Sequence, residues 1–317
     1  MNTKQIRDKL EVLIDASRNQ SLKELKAIKH IGVDPDRNLV ILIITIGELA
    51  GEAEKTLRHQ IAKVIKLDLQ YNGVKIQFEE EKKIIGQKTK FIIVASGKGG
   101  VGKSFVTVNL AYQLKAQNAS VGIIDADIYS ACIPDLLEMP ILPVELTDAE
   151  KIIPFSKDGI EVISTEFFSE RDKPILWRGD QLQNILNSFF YQVQWSNQLD
   201  YILIDAPSGT GDIMLDLKKV VPNAEIILVT TPDILDCHIV TKTGIGYLEL
   251  NHNIIGIVEN KADLNKESYA SVVAEKLNVE VLTSIPYSTP KNNLAIYEDS
   301  EENAQLFKDL ATLIIIR

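Results

Sequence analysis

Gly97-Lys98-Gly99-Gly100-Val101-Gly102-Lys103-Ser104 is the stretch on which the reading of this 317-residue chain turns. An apolar run, residues 91–95, precedes it. Residues 105–117 follow, with Val106, Leu110, Ala111 and Leu114 at helical spacing. Strand, glycine-rich turn and helix in that order are what a phosphate-binding loop requires. Glycines let the backbone curl so that successive N–H groups face one oxyanion, and the N-terminus of the next helix adds partial positive charge. On this reading residues 97–104 cradle ATP, Lys103 reaches its β- and γ-phosphates, and the Ser104 hydroxyl ligates Mg²⁺. A bare glycine turn would be only a turn; the full spacing between these flanks predicts a nucleotide site.

Working outward, strand signals recur at 120–125, 159–164, 201–205, 225–230, 254–259 and 279–284, alternating with helix signals. That alternation predicts an α/β fold, a mostly parallel sheet of the P-loop NTPase kind covered on both faces, over residues 91–317. Ligands of such sheets bind at the carboxyl ends of the strands. Asp125-Ala126-Asp127 closes one strand, and alternate residues of an extended chain point the same way, so both acids can face one cation or water. The plain alternative is a pair of solvated strand-end acids. Residues 201–205 are apolar until Asp205, the arrangement in which a carboxylate holds Mg²⁺. Gly209 and Gly211 in the loop after it would free N–H groups to sense a γ-phosphate, ordering with ATP and relaxing after hydrolysis.

Residues 1–80 read as a small α+β domain: a helix over 3–16 with Ile6, Leu10, Leu13 and Ile14 on one face, a strand over 39–46, a helix over 51–65, and a half-buried strand over 74–78. Residues 81–90, charged and carrying Gly86, read as a linker. Net charge is −10 with no long basic run, which argues against nucleic-acid binding. No run reaches about 18 apolar residues, so no membrane span is expected, and residues 1–15 have no signal-peptide core. The two cysteines, Cys132 and Cys237, are far apart in sequence, which points to a reducing, cytoplasmic setting and against a disulfide scaffold. His30, His59, His238 and His252 lack partners at zinc-ligand spacing.

The second loop lysine, Lys98, is not needed by an ordinary phosphate loop. With it the sequence resembles the deviant-Walker ATPases, the group of MinD, ParA, the nitrogenase iron protein and the Mrp family. Trp177-Arg178-Gly179, Gly209-Thr210-Gly211-Asp212, Thr230-Thr231-Pro232 and Gly256-Ile257-Val258-Glu259-Asn260 stand in Mrp order and spacing, as does residues 125–129 with Ile133-Pro134. The resemblance covers residues 91 to about 290. It implies a homodimeric ATPase that carries or assembles iron–sulfur clusters, with iron–sulfur assembly proteins or apo-protein acceptors as partners. It further implies that Lys98 crosses to the partner's nucleotide, that Asp125 sits near Mg²⁺, that Asp127 positions the attacking water, and that Pro232 and Asn260 lie by the adenine. The domain before residue 81 is similar in length and position to the small domain preceding the ATPase in many bacterial Mrp proteins.

The chain also departs from that pattern. Mrp-type carriers usually place a Cys-x-x-Cys pair after the Glu-Asn motif, where this chain has Lys261-Ala-Asp-Leu-Asn-Lys-Glu-Ser-Tyr269. An iron–sulfur cluster needs several thiolates, commonly four. Ser130-Ala131-Cys132 stands where the family usually has Gly-Pro-Ser, and both cysteines read as small buried residues. Three functions stay open: cluster carriage, a nucleotide-switched protein-interaction module without a cluster, and ParA-like positioning on DNA, which the acidic balance disfavours. The apolar-rich residues 306–316 are expected to dock on the core rather than enter a membrane.

Overall fold

The computed structural model describes residues 3–16, 20–46, 51–80, 88–168, 180–196, 199–209, 211–263, 268–291 and 295–317. Its contacts divide the chain into two compact units, Met1–Lys83 and Ile84–Arg317.

The first unit runs α1 (Thr3–Leu10), β1 (Ile14–Asp15), β2 (Gln20–Ser21), β3 (Ile28–Asp34), β4 (Leu39–Ile46), α2 (Glu52–Lys63) and β5 (Gly73–Glu80). β4 pairs antiparallel with β3 and parallel with β5. Alternate residues of β4 (Val40, Leu42, Ile44, Ile46) bury against Ile6, Leu10, Leu57 and Ile61 of the helices, as the period of two demands. The helix expected over 3–16 stops at Leu10. The chain turns there because Glu11 and Leu13 give their carbonyls to the N–H groups of Lys23 and Leu22, and β1 pairs back on β2. Ile14, counted on the apolar face by periodicity, is 53% exposed. β3 was not foreseen: its sequence, IKHIGVD, has no clean alternation.

The second unit continues with β6 (Lys90–Ser96), α3 (Lys103–Ala116), β7 (Val121–Asp125), α4 (Ile133–Leu136), β8 (Phe155–Lys157), β9 (Ile160–Ser164), α5 (Asp180–Tyr191), β10 (Tyr201–Asp205), α6 (Asp212–Val220), β11 (Glu225–Thr230), α7 (Ile234–Glu249), β12 (Asn253–Ala262), α8 (Ala270–Leu277), β13 (Val281–Pro286) and α9 (Glu302–Ile316). The strands form one sheet in the order β13-β12-β11-β6-β10-β7-β9-β8. Every pairing is parallel except β8 with β9, an antiparallel edge absent from the sequence reading. Ile93 and Ala95 of β6 pack on one face with Leu186, Leu217, Val240 and Val273 of α5–α8. Ile92 and Val94 pack on the other with residues of α3 and α9. Strands buried on both faces read as unbroken apolar runs, which is why β6 and β10 were legible.

α9 docks on α3, with Phe307, Leu310, Ala311 and Ile314 buried. Full burial of each large side chain contributes about 1.5–3 kcal/mol, so docking accounts for this apolar stretch. Among the described residues no helix is long and apolar enough to cross a membrane.

Candidate nucleotide site at the carboxyl edge of the sheet

Parallel strands end at one edge, and register decides which ends meet. Asp205 of β10 lies opposite Asp125 of β7 on one side and Val94 of β6 on the other. β6 then opens into the glycine loop. Gly100 and Gly102 hold φ of +83° and +90°, a left-handed backbone that a side chain would strain. Beside Gly100 the space where a Cβ would project is open. The loop feeds directly into α3, whose first turn carries no acidic residue. Such a helix end offers unsatisfied N–H groups and positive dipole to an anion.

Lys103, the first residue of α3, is 6% exposed, with its Nζ 2.8 Å from Asp205 Oδ1 and 3.4 Å from Asp127 Oδ2. Burial alone would lower this ammonium, but Asp205, Asp127 and Asp125 outweigh it and hold it above its ordinary value. Ser104 donates its hydroxyl to Asp205 Oδ2 at 2.5 Å, and Thr107 donates to Asp205 Oδ1 at 3.0 Å. Asp125 is wholly buried. Its Oδ2 accepts from the N–H groups of Cys132 and Ile133 and from the Ser164 hydroxyl, while its Oδ1 has no partner. Burial, then the neighbouring Asp205, pushes the Asp125 carboxyl up to about 7. Asp127 is also raised by burial, against the pull of Lys103.

The donors assembled here are hard oxygens: the Ser104 hydroxyl and the buried carboxylates of Asp205 and Asp125, the latter with one orphaned oxygen. They fit Mg²⁺, which takes one or two carboxylates together with phosphate oxygens and water rather than an all-protein cage. Accordingly, no cluster of three or more His, Cys, Asp or Glu stands ready as a closed metal shell among the described residues.

At the other end of the loop, Lys98 points to α7, its Nζ 2.6 Å from Asp236 Oδ1. Lys98, Gly99, Gly100, Thr231, Pro232 and Asp236 help line an open cavity of about 730 Å³. Pro232 thus lines the same cavity as the loop. Asn260 does not line that cavity: it is buried and donates its Nδ2 to the Val101 carbonyl at 2.8 Å, while Lys261 donates to the Gly100 carbonyl at 2.7 Å. Gly97, the first loop residue, abuts the backbone of α7 at Val240.

The fold thus brings Lys103, Ser104, Asp125, Asp127 and Asp205 together and sets Lys98 apart. Asp236, Thr107 and Lys261 were missed from sequence. Thr107 had a signal, since it stands one helical turn after Lys103; Asp236 and Lys261 had none. Cys132 lies beside Ser104, its N–H donating to Asp125, and burial pushes its thiol up to about 11. Cys237 is buried in α7 against Thr230, its thiol likewise raised by burial. Trp177-Arg178-Gly179, Thr210 and residues 264–267 lie outside the described residues, as do the side chains of Asp180 and Asp212.

Comparison with known proteins adds an independent line. Residues 87–310 match the family model described as ParA: NUBPL iron-transfer P-loop NTPase. The iron-sulfur cluster carrier protein of Bacillus subtilis is 32% identical over 92% of each chain. That of Rickettsia bellii is 35% identical over 77% of this chain and 76% of its own. Among solved structures, a nucleotide-binding protein from Archaeoglobus fulgidus in complex with ADP is 29% identical, with a TM-score of 0.53 over 72% of this chain and 88% of its own. The septum site-determining protein MinD of Pyrococcus horikoshii, complexed with Mg-ADP, shares the fold at 22% identity, with a TM-score of 0.54 over 71% of this chain and 96% of its own.

Proposed function

The chain belongs to the ParA-type NUBPL iron-transfer P-loop NTPase family, and from that premise we propose that it binds and hydrolyses ATP as a dimer and uses the cycle to carry or assemble iron–sulfur clusters. The observation that carries the ATPase reading is the meeting of Lys103, Ser104, Asp127 and Asp205 beneath a glycine loop with positive φ. Lys103 would leave Asp205 and Asp127 for the phosphate oxygens. That exchange frees Asp127 to orient a water for in-line attack. Ser104 and Asp205, with Asp125 behind them, would hold Mg²⁺, which supplies neutralising charge at the phosphates. Lys98 would act on the nucleotide of the partner subunit, meeting charge that develops in the transition state.

Trans-acting cations of this kind are worth on the order of 10³–10⁵ in rate in other phosphate-loop enzymes. Lys98→Ala should therefore cut turnover by about 10³ while equilibrium titration still finds ATP bound. Unchanged turnover would remove the trans role.

A second reading, a nucleotide-switched interaction module without a cluster, is favoured by the cysteines. Cys132 sits at Ser104 and Cys237 is buried at Thr230, and no Cys-x-x-Cys stands after Asn260. Anaerobic reconstitution with iron and sulfide separates the two. Near-stoichiometric cluster per dimer, lost in Cys132→Ser, supports carriage on the chain's own thiolates. No cluster despite intact ATP binding supports the switch, or a carrier whose thiolates come from its partner.

A further inference from the structure

Lys98 is 53% exposed, yet its ammonium is not free: Asp236 Oδ1 lies 2.6 Å away. The two members of this pair differ in mobility. Asp236 is 8% exposed, and its Oδ2 accepts the Thr231 hydroxyl at 2.7 Å. Its backbone is fixed as well. Asp233 caps α7, accepting from the N–H groups of Leu235 and Asp236 at 2.8 and 3.3 Å, and the Asp233 N–H returns to the Thr231 hydroxyl at 3.3 Å. The carboxylate is therefore anchored on two sides. The lysine hangs from a flexible four-carbon stem, and its compact charge can change partners. Both Thr231 and Asp236 line the same cavity as Lys98 and Pro232.

We propose that Asp236 is a positioning residue that keeps Lys98 on its own subunit, so that Lys98 reaches the phosphates of a second copy only by exchanging this carboxylate for them. The inference rests on the trans role given to Lys98 above. Its logic is a population shift. A ligand that needs a minor conformer binds with an affinity reduced by the fraction of chains in that conformer. With Asp236 present, the lysine-free-to-cross state is the minor one. ATP-dependent pairing then demands a higher protein concentration, and a chain without a loaded partner nearby is restrained from premature engagement.

Two measurements test this on the full chain. The first reads Lys98 directly, as the rate at which an amine-acylating reagent labels the 98-containing peptide. Asp236 holds the Lys98 ammonium above its ordinary value, by its hydrogen bond first and its charge second, and so suppresses the reactive free amine. Asp236→Asn should label Lys98 about threefold to tenfold faster, and Asp236→Glu should return the rate toward wild type. Equal rates in wild type and Asp236→Asn overturn the proposal. The second reads pairing, by sedimentation with a non-hydrolysable ATP analogue. Asp236→Asn should dimerise at a several-fold lower concentration, and that gain should vanish in a Lys98→Ala background. A gain that persists without Lys98 means that Asp236 acts on the interface itself, which also overturns it. The two readings fail separately. If Lys98→Ala leaves turnover intact, the trans role falls. If Lys98→Ala abolishes turnover but Asp236→Asn changes neither labelling nor pairing, only the positioning role falls.

Discussion

Lys103 and Lys98 belong to one glycine loop and each has a carboxylate within 3 Å, Asp205 at 2.8 Å and Asp236 at 2.6 Å, but they are 6% and 53% exposed. The shorter pair is the weaker one. In water the attraction is screened and partly offset by the freedom the side chains lose, so an exposed pair can bias where a lysine rests but adds little to the stability of the fold. Around Lys103 water is excluded, and Asp205 and Asp125 have no other cation at hand among the described contacts. Distance therefore ranks neither pair; burial does. The loop thus has one lysine built into the fold and one held loosely at its rim, a division that suits a fixed phosphate ligand and a residue that has to travel.

The largest difference should appear when each lysine is removed from the nucleotide-free protein. Lys103→Ala leaves buried carboxylates without their counter-charge, and breaking a buried pair in this way costs about 3–5 kcal/mol. For a unit of this size that corresponds to a melting shift of roughly 10 °C. It should also abolish measurable ATP binding in equilibrium titration. Lys98→Ala should leave the melting temperature where it was, although turnover should be lost. Equal melting of the two variants would break the contrast.

How much of this contrast was readable beforehand follows from what is local. The glycine loop, the strand ending in Asp205 and the Asp125-Ala126-Asp127 step each depend on neighbours in sequence, so periodicity and spacing reveal them. Strand order is not local. That Asp125 and Asp205 stand side by side depends on β7 pairing with β10, and the Lys98–Asp236 pair joins positions 138 residues apart. Nothing in either segment advertises the other. The first unit misled for the opposite reason. The apolar spacing ran on through Leu13 and Ile14 while the backbone had already turned, because a strand pairing took over carbonyls that helix α1 would have needed. Cys132 read as a small buried residue, but its place beside the site depends on how the loop after β7 folds back to Asp125.

A pH series sharpens the buried half of the comparison. The folded Asp125 carboxyl is raised to about 7 from 3.8. A raised acid favours the fold when protonated, so its contribution is complete at low pH and is lost as pH rises through about 7. Asp125→Asn, neutral at every pH, should therefore melt higher than wild type at pH 8, by on the order of 2 kcal/mol once the upper bound of 1.36 kcal/mol per unit is discounted for coupling to Asp205 and Lys103. The gap should narrow as pH falls below about 7 and close only near pH 4, at the unfolded value. A gap that widens toward acid would mean that Asp125 is held ionised, and that Lys103 rather than burial governs it.

The smallest expected effect concerns the residues between the two lysines. Asn260 and Lys261, at the end of β12, donate to the carbonyls of Val101 and Gly100. Holding these two carbonyls from outside fixes the peptide planes of the loop, and with them the direction of the N–H groups that would meet phosphate. Val101 is buried, so Asn260→Ala leaves its carbonyl short of a donor, a loss of about 1 kcal/mol for an ordinary hydrogen bond or roughly fivefold in affinity. Because the clamp acts on the phosphate cradle, the loss should be the same for ATP, for GTP and for inorganic pyrophosphate, each titrated separately. The family resemblance assigns Asn260 a different duty, beside the adenine, and that duty predicts a different result: ATP affinity would fall while pyrophosphate affinity held. Equal losses across the three ligands would place Asn260 with Lys103 as part of the fixed half of the loop, and a loss confined to ATP would return it to the base.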